Sequence, residues 1–335
     1  MKLKVISSSV LLFVLFFTVN AYASGGLVQT KSLAQEGTTT IVYIDAETQI
    51  TIISPPSGWD AVNATDQELS RYGYPPRPSN ENDLVEWKKI ASGKWFKPEF
   101  EIDKSVEHPG EGVVRNSTQI YSSMWSGVIK DPGSVRSRVA GYWRQPYATA
   151  ATTSRPAFSS QWIGLGGYNE NVIIQAGTES NIYTDSSGGY DVWYEIIGTN
   201  ITEDQINIPN FPHSPGDTYY ADISFSKGNN GTASFYILDC DTESVTSFNV
   251  SNIQYNYDLT SAEWIFERPL VNDALAPNFT RPDNGSTHYV HFASCASSAT
   301  PTGTLNLAST NQDTLDYVAL LSQTQGGGNI AMSLS

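Results

Sequence analysis

The chain is poor in the residue types on which many enzyme chemistries depend. It has two cysteines and four histidines, at Cys240, Cys295, His108, His213, His288 and His291. The histidines are scattered, and His288 and His291 lie three apart in a strand-like stretch, so they would face opposite ways and would not form a metal pair. No CxxC, GxSxG or HExxH motif occurs, and no Asp-Thr-Gly or Asp-Ser-Gly pair. We therefore predict no metal site and no cofactor.

Basic residues are also scarce. The chain has 19 Lys and Arg against 34 Asp and Glu, a formal net charge of −15, which argues against a nucleic-acid partner. From Asn116 onward there are 20 acidic and 8 basic residues. In strong acid the carboxylates are neutralised. The small number of basic groups then gives this part of the chain little net positive charge, and therefore little self-repulsion. The composition suits an acidic medium, and it is also compatible with an ordinary acidic secreted protein.

Only one long apolar run is present, and it lies at the N-terminus. Lys2 and Lys4 precede an apolar run from Val5 to Val19, and Ala21-Tyr22-Ala23 follows it. A basic start, an apolar stretch too short to span a bilayer comfortably and an A-x-A site are typical of a secretory signal. We predict a signal peptide at residues 1–23 and a secreted, extracellular product with no membrane contact after cleavage.

Export bears on the two cysteines. In an oxidising compartment Cys240 and Cys295 can pair only with each other. Closing a loop of that length stabilises a fold by roughly 3–5 kcal/mol in the chain-entropy model. We predict a Cys240–Cys295 disulfide, and the alternative is two buried thiols.

Helical signals are confined to the segment that ends near Arg115. Thr65 and Glu68 have the spacing of a capping box, before a short helix that Gly73 would end. A second helical pattern runs from Asn82 to Ser92. The rest of the segment, through Arg115, is rich in proline and charge and is interpreted as a linker.

Four lysines in a ten-residue window of this segment lie close to aromatic residues: Lys88, Lys89, Lys94 and Lys97, near Trp87, Trp95 and Phe96. Such a basic aromatic patch would dock on an acidic domain. Protonation of cleft carboxylates would then weaken the docking and act as an acid trigger. The alternative is a helical spacer whose lysines are simply solvated.

From Asn116 onward helical periodicity disappears. Short runs rich in Val, Ile, Tyr, Trp and Thr alternate with clusters of Gly, Asn, Asp, Ser and Pro, a pattern typical of a β-sandwich or barrel. The stretch from Lys227 to Gly231 has the Asn-Gly composition of a hairpin turn. This length with so many strands predicts one large all-β domain at residues 116–335.

Three strand patterns place polar residues where a sandwich core would require apolar ones. Period-two alternation assigns these residues to one face of each strand: Gln175 with Ile173 in VIIQAG, Asp191 and Glu195 with Trp193 in YDVWYEI, and Glu263 and Glu267 with Ile265 in AEWIFE. Aligning the first two strands would collect an amide, two carboxylates and an indole on one side, as in a cleft. The alternative, which is the commoner arrangement, is a set of solvent-facing positions on half-buried strands.

Five motifs in order resemble the eqolisins, the secreted glutamic peptidases: VAGYWRQP, WIGLGG, IIQAG, YDVWYE and AEWIFE. The resemblance runs from about Met124 to the C-terminus. It implies an all-β acid endopeptidase, built as a two-sheet antiparallel, concanavalin A-like β-sandwich whose concave face holds the cleft. It also implies polypeptide substrates and a propeptide that acts as an intramolecular inhibitor, here residues 24–115 including the linker.

The resemblance also assigns the catalytic pair. IIQAG matches the segment with the catalytic glutamine, Gln175, and AEWIFE matches the segment with the catalytic glutamate at Glu263 rather than Glu267. Ionised Glu263 would take a proton from water and return it to the leaving amine, while Gln175 would orient the water and stabilise the oxyanion. An unperturbed Glu titrates near ~4.3, so an acidic optimum is expected.

Four further residues match positions near the family's cleft: Trp162, Asp191, Trp193 and Glu195. We expect them to bind substrate or to tune the catalytic pair through hydrogen bonds and shared protons. One residue departs from the family pattern WxGxDG, because Gly166 stands where Asp is common. This change removes a carboxylate from the site.

The sequence thus predicts a secreted, monomeric glutamic endopeptidase made as a zymogen. A secreted binding module for carbohydrate or peptide is the alternative, since the same aromatic and carboxylate face would suit a ligand without turnover. A structural surface protein is favoured only by the Ser-, Thr- and Asn-rich composition. Gln175 and Glu263 on opposite faces of the sheet would exclude the enzyme.

Overall fold

The computed structural model describes residues 17–20, 28–33, 38–108, 119–120, 124–130, 135–149, 156–168, 171–183, 188–228, 231–255, 258–272, 274–275, 281–282, 289–297, 300–308, 318–321 and 330–332. These residues form two α-helices and 26 β-strands. Neither helix in this part of the chain is long and apolar enough to cross a membrane.

The helices are α1 (Asp66–Arg71) and α2 (Glu81–Ala91). The strands before residue 116 are β1 (Phe17–Asn20), β2 (Val28–Leu33), β3 (Thr39–Tyr43), β4 (Gln49–Ile53), β5 (Lys94–Trp95), β6 (Glu101–Asp103) and β7 (Val106–Glu107). The central strands are β8 (Gln119–Ile120), β9 (Trp125–Lys130), β10 (Arg138–Arg144), β11 (Ala148–Thr149), β12 (Ala157–Gly166), β13 (Ile173–Ile182), β14 (Gly188–Ile197), β15 (Gln205–Asn207), β16 (Thr218–Ser226), β17 (Gly231–Asp239), β18 (Ser244–Ile253) and β19 (Ala262–Glu267). The last strands are β20 (Leu270–Val271), β21 (Ala274–Leu275), β22 (Arg281–Pro282), β23 (Tyr289–Ser297), β24 (Thr300–Ala308), β25 (Val318–Leu321) and β26 (Ile330–Met332).

Two large sheets form the sandwich. Sheet I has the order β1-β2-β3-β4-β18-β17-β16-β10-β23-β24-β26, with β5 beside β18, and sheet II has the order β6-β15-β14-β13-β12-β19-β9-β25-β8. Neighbouring strands are antiparallel except β5–β18, β24–β26 and β9–β25. The predicted two-sheet antiparallel sandwich is confirmed. β16 and β17, on either side of the predicted hairpin turn, pair as antiparallel neighbours, while residues 229 and 230 of that turn lie outside the described residues.

The core between the sheets follows the period-two pattern. Nine apolar side chains that alternate with the polar ones in three strand motifs all lie in this core: Val172, Ile174, Ala176, Val192, Tyr194, Ile196, Ala262, Trp264 and Phe266. The indole Nε1 of Trp264 donates a hydrogen bond to the backbone oxygen of Ala140, 3.0 Å away on sheet I. Sheet II therefore turns its polar face away from the core.

Both predicted helices are present. In α1 the Thr65 hydroxyl accepts from the Glu68 amide and the Glu68 carboxylate accepts from the Thr65 amide, which completes the capping box. Gly73, with φ of +71°, follows the end of α1 in the left-handed conformation that glycine adopts at low cost. Asn80 caps α2, and Ser92 ends it.

The segment before residue 109 is built into the sandwich. The hairpin β3–β4 extends sheet I by pairing β4 with β18, and Ile50 and Ile52 are fully buried in the main core. The helices pack on the other face of the sheet, where the hydroxyl of Tyr236 donates to the backbone oxygen of Ile90 at 2.6 Å.

The linker interpretation is wrong for residues 94–108. β5 pairs with β18 of sheet I, β6 pairs with β15 of sheet II, and β7 pairs with β20. The chain here passes from one sheet to the other, because its extended backbone completes strand edges that would otherwise stay unpaired. The four lysines of the basic patch are exposed, and Lys94 lies 3.7 Å from Glu243 in an ion pair that is itself exposed.

The predicted Cys240–Cys295 disulfide is not formed. Cys240 is a free, half-buried thiol directly after β17, and Cys295 lies on β23. The order β17-β16-β10-β23 puts these strands three places apart, which is roughly 14 Å at ordinary strand spacing. A disulfide needs Cα atoms about 4.4–6.8 Å apart.

A cut near Arg115 is expected to leave residues 38–108 bound to the rest of the chain at neutral pH. Val42, Ile50 and Ile52 are buried in the main core, and each such side chain contributes about 1.5–3 kcal/mol by burial. A specific protease site introduced beside Arg115, followed by size-exclusion chromatography, should show one peak that splits only in denaturant. Ile50→Ala with Ile52→Ala should weaken retention, whereas Thr51→Ala between them should not. Two peaks in plain buffer would contradict this expectation.

Candidate active site

The polar face of sheet II brings Gln175 and Glu263 together. β13, β12 and β19 are consecutive strands, and Gly164 of β12 lies directly opposite Gln175 on one side and Glu263 on the other. Directly opposed residues share a face, so the two side chains project to the same side. Two strand spacings put their Cα atoms about 10 Å apart. Gln175 and Glu263 therefore do not lie on opposite faces of the sheet, which is the arrangement that would have excluded an enzyme.

Gly164 leaves the space between the pair free of a side chain. A Cβ at this position would lie 3.0 Å from Cζ3 of Trp162 and 3.4 Å from Cβ of Gln175. A larger residue would therefore push into the gap that Gln175 and Glu263 flank. Strand propensity disfavours glycine in a strand interior, so the space that the site requires explains the glycine at this position.

The carboxyl group of Glu263 is fully buried. Its Oε1 accepts a hydrogen bond of 3.1 Å from the hydroxyl of Ser261. Gly167, with φ of +95°, turns tightly against it, and a Cβ there would lie 3.1 Å from Oε2 of Glu263. Only glycine meets both the left-handed backbone and this close approach.

Gln175 is also fully buried, and its side chain has a defined orientation. The amide Nε2 donates to Oε2 of Glu195 at 2.7 Å and to the backbone oxygen of His108 at 2.8 Å. Both partners are acceptors, so the amide oxygen Oε1 must point the other way. That oxygen has no hydrogen-bond partner among the described residues, and it remains able to accept from water or a peptide.

The four other predicted site residues lie on the same face. Glu195 lies directly opposite Gln175, and Asp191 is half-buried and accepts from Asn181 at 3.3 Å. Trp162 and Trp193 are fully buried: the indole of Trp162 donates to Glu267 at 2.6 Å, and that of Trp193 donates to Ser160 at 3.2 Å. Their predicted roles in binding or tuning stay predictions, but the structure gives each a place beside the pair.

Sequence reasoning missed His108, which lies in the stretch interpreted as a linker. Its side chain is fully buried on the polar face and stacks on Trp193, with ring centroids 4.0 Å apart and an interplanar angle of 6°. Its Nδ1 lies 2.7 Å from Oε2 of Glu267 and its Nε2 lies 2.7 Å from Oε1 of Gln205. No periodicity marks this residue, because its partners lie far along the chain.

Glu267 also has a role that its sequence position does not indicate. The indoles of Trp125 and Trp162 donate to its two oxygens at 2.9 and 2.6 Å, and His108 is its third partner. These three contacts hold the carboxylate of Glu267 in one orientation on the polar face. Glu267 lies opposite Ser160 of β12, whereas Glu263 lies opposite Gly164, and the choice of Glu263 as the catalytic glutamate stays a prediction.

Burial and close charges shift the proton affinities on this face. Burial opposes a charge on His108, but the carboxylates of Glu267, Glu195 and Glu179 prevail and raise the pKa of its imidazole to about 9. Burial raises the pKa of Glu195 to about 8 and that of Glu179 to about 7, although His108 lowers both. Burial also raises the pKa of Asp191. Neutral carboxyls are therefore present on this face well above the pH at which exposed ones ionise.

The grouping of possible metal ligands can be examined in the described part of the chain. No group of three or more His, Cys, Asp and Glu side chains there is arranged to hold a metal ion. The acidic residues of the polar face instead have donors from indoles, amides and His108.

Comparisons with known proteins bear directly on this face. Residues 123–325 match the model of the Peptidase A4 family, and no curated protein matches the chain. The crystal structure of scytalido-glutamic peptidase with a transition state analog inhibitor is 24% identical, with 53% of this chain and 82% of that chain covered and a TM-score of 0.43. A second structure of that peptidase, with a peptide based transition state analog, is 21% identical, covering 59% of this chain and 99% of that one, with a TM-score of 0.42. SCP-B, described as a member of the Eqolisin family of peptidases in a complex with the tripeptide Ala-Ile-His, is 20% identical, with coverage of 59% and 99% and a TM-score of 0.38.

The family match includes all five motifs from which the resemblance was predicted. It begins just before β9 and extends over the strands that carry Gln175 and Glu263. Because it spans more than half of the sequence, the chain belongs to the Peptidase A4 family, the glutamic-type endopeptidases.

Proposed function

We propose that the chain is a secreted acid endopeptidase that hydrolyses peptide bonds of polypeptides with Glu263 and Gln175 as its catalytic pair. The observation that carries the proposal is the register of sheet II, in which both residues lie opposite Gly164 on one buried face. An amide and a carboxylate at this separation can hold a water and a peptide carbonyl between them. The signal-like N-terminus supports secretion.

The chemistry of hydrolysis follows from what each group can donate and accept. Ionised Glu263 removes a proton from water, and the water oxygen attacks the carbonyl carbon of the peptide. The Nε2–H of Gln175 donates to the carbonyl oxygen as it gains negative charge. The C–N bond then breaks, the proton held by Glu263 passes to the leaving nitrogen, and the products are one new carboxyl group and one new amine. A positioned base of this kind contributes about 10²–10⁴-fold in rate.

We further propose that residues 24–115 are a propeptide whose inhibitory element is the stretch 101–108. The backbone oxygen of His108 accepts from Nε2 of Gln175 at 2.8 Å, so a peptide carbonyl of the chain itself occupies the position proposed for the substrate carbonyl. The backbone N–H of His108 donates to Oε2 of Glu195 at 3.2 Å. This contact, rather than the basic patch, would block the pair, since the lysines of that patch are exposed.

Acid-dependent proteolysis is the direct test of this function. The purified chain should hydrolyse an unfolded protein substrate in acid. The rate should fall towards neutral pH, where Glu179 and then Glu195, with pKa values raised by burial to about 7 and 8, become negatively charged near the forming oxyanion. Size and mass analysis of the same samples should show whether residues 101–108 have been released. Absence of cleavage at every pH by a chain that has lost this stretch would contradict the proposal and favour the carbohydrate- or peptide-binding module.

A further inference from the structure

A serine beside β19 contacts the proposed base. Ser261 directly precedes this strand and is fully buried, and its hydroxyl lies 3.1 Å from Oε1 of Glu263. The hydrogen bond joins side chains that are only two residues apart along the chain. It therefore holds the carboxyl group from its own strand, whereas Gln175 approaches the same space from two strands away.

The backbone of Ser261 is held in place as well. Its carbonyl oxygen accepts from the amide of Gly166 at 3.1 Å, and the amide of Gly167 donates to the backbone oxygen of Val172 at 2.8 Å. The turn after β12 also packs against the carboxyl group, because a Cβ on Gly167 would lie 3.1 Å from Oε2 of Glu263. Ser261 thus lies at Oε1 and the turn lies at Oε2, and together they restrict how the carboxyl group can rotate.

The chemistry of the carboxylate sets the direction of the Ser261 hydrogen bond. An ionised carboxylate has acceptors only, so the hydroxyl must donate when Glu263 is the base. A donor to a charged acceptor stabilises the charged form, and such a bond is stronger than one between two neutral groups. The hydroxyl therefore favours the ionised form of Glu263, which is the form that can remove a proton from water.

We infer that Ser261 is a positioning residue for peptide hydrolysis, whose hydroxyl holds the carboxyl group of Glu263 in the orientation and the ionised state that proton removal from water requires. The inference rests on the proposed function, in which Glu263 is the base. Ser261 acts through Glu263 and takes no proton itself. Without the hydroxyl the carboxyl group rotates more freely and is protonated more readily, so fewer enzyme molecules have a base aimed at the water.

The neighbours of Glu263 allow a change in its ionisation to be measured. Gly164 of β12 and Ile129 of β9 lie directly opposite Glu263, and neither side chain titrates. Among the described residues, the hydroxyl of Ser261 shares a hydrogen bond with Glu263 and with none of the titratable groups on this face. Those groups are His108, Tyr168, Glu179, Asp191, Glu195 and Glu267.

The test compares Ser261→Val with Ser261→Thr in the full chain, because the two side chains have nearly the same shape and only threonine has a hydroxyl. Kinetics on a quenched fluorescent peptide are measured across the acidic range. In Ser261→Val we expect kcat to fall by about tenfold or more, which is about 1.4 kcal/mol, with KM nearly unchanged, because the chemical step is impaired and binding is not. The acid limb of kcat/KM should also move to higher pH. Ser261→Thr should stay within a fewfold of the parent, with its acid limb in place.

Ser180→Ala is the matched control for the loss of a buried hydroxyl. Ser180 is fully buried on the core side of β13, and its hydroxyl oxygen accepts from Nε2 of Gln145 at 2.7 Å. The variant loses a buried hydrogen bond far along the strand from Gln175. It should lower the urea midpoint while kcat and the acid limb keep their parent values, so an effect of stability alone is distinguished from one on Glu263.

The outcomes separate this inference from the proposed function. If the parent cleaves neither the peptide nor an unfolded protein in acid, the proposed function itself fails. If the parent is active and Ser261→Val keeps its kcat and its acid limb, Ser261 has no positioning role while the peptidase stands. Ser261→Ala adds no volume and decides the question if both larger side chains disturb the fold: a parent-like pH profile overturns the inference, and an acid limb at higher pH supports it.

Discussion

Replacing Glu263 with Gln is expected to lower kcat for peptide hydrolysis by about 10²–10⁴-fold, the range for loss of a positioned general base. The amide keeps the size of the carboxyl group, and its oxygen can still accept from the Ser261 hydroxyl that lies 3.1 Å from Oε1. It cannot take up the proton of water at any working pH. The fold should therefore persist while the chemical step fails, and the comparison of kcat in acid between parent and variant measures the difference.

Glu47→Gln is the matched control, because Glu47 is an exposed residue in the β3–β4 turn. It changes the net charge by the same amount and should leave kcat at the parent value. Circular dichroism and urea midpoints of the three proteins should agree, which would exclude unfolding as the cause. A Glu263→Gln enzyme that stays within a fewfold of the parent would remove Glu263 from the proposed mechanism.

Gln175→Ala tests the other half of the pair. Loss of one oxyanion donor typically costs about 10²–10³ in kcat. In the proposed mechanism both residues act in the same transition state, so the double variant should be much less impaired than the product of the single losses. Multiplicative losses would show that the two side chains act in separate steps.

Alternation of polar and apolar residues was enough to predict which way the side chains of β13, β14 and β19 project. A slip of one residue in register would bury the carboxylates in the sandwich core, so the apolar set of each strand determines its orientation. The nine inward residues and the polar outer face followed from this rule alone. What alternation cannot show is that β12 lies between β13 and β19, which brings Gln175 and Glu263 together.

Two features lay beyond the sequence for a physical reason. His108 is separated from Glu267 by 159 residues, and its contact depends on a backbone path from sheet I to sheet II that leaves no periodic signal. The disulfide prediction failed because an oxidising compartment makes a bond between Cys240 and Cys295 permissible without bringing the two residues close. Strand order, which keeps them apart, is a long-range property.

His108→Ala is expected to raise the initial peptidase activity of the uncut chain at pH 5–6 by about 100-fold. The docked imidazole has its pKa raised to about 9, against about 6.5 when free, so its contribution to docking is complete below pH 6.5 and is lost as the pH rises through 9. This difference between the docked and the free pKa of His108 corresponds to about 3 kcal/mol of docking free energy. The Ala variant loses this contribution and should leave Gln175 free for substrate.

The carboxyls that face His108 decide what acid does to the docked segment. Glu195 of β14 and Glu179 of β13, with pKa values raised to about 8 and 7, also favour docking as the pH falls, because their neutral forms tolerate burial. Asp191 and Asp103 near Glu179 act on it in the same sense. Glu267 of β19 and Gln205 of β15 meet the two ring nitrogens of His108, each at 2.7 Å. A fall in pH from about 9 to about 6 should therefore tighten docking.

The pH dependence of docking would be measured through initial rates on a short peptide, taken before any cleavage of the chain itself is visible on a gel. The initial rate of the parent, relative to that of His108→Ala at the same pH, should fall as the pH is lowered from about 9 to about 6. Lys94→Ala should behave like the parent, because that lysine is exposed and lies beside Glu243, in the turn between β17 and β18, and not on the polar face of sheet II. If Lys94→Ala raised the initial rate as much as His108→Ala does, the inhibitory contact would be assigned to the basic patch. The hydrogen bond between Gln175 and the backbone of His108 would then not be the cause of inhibition.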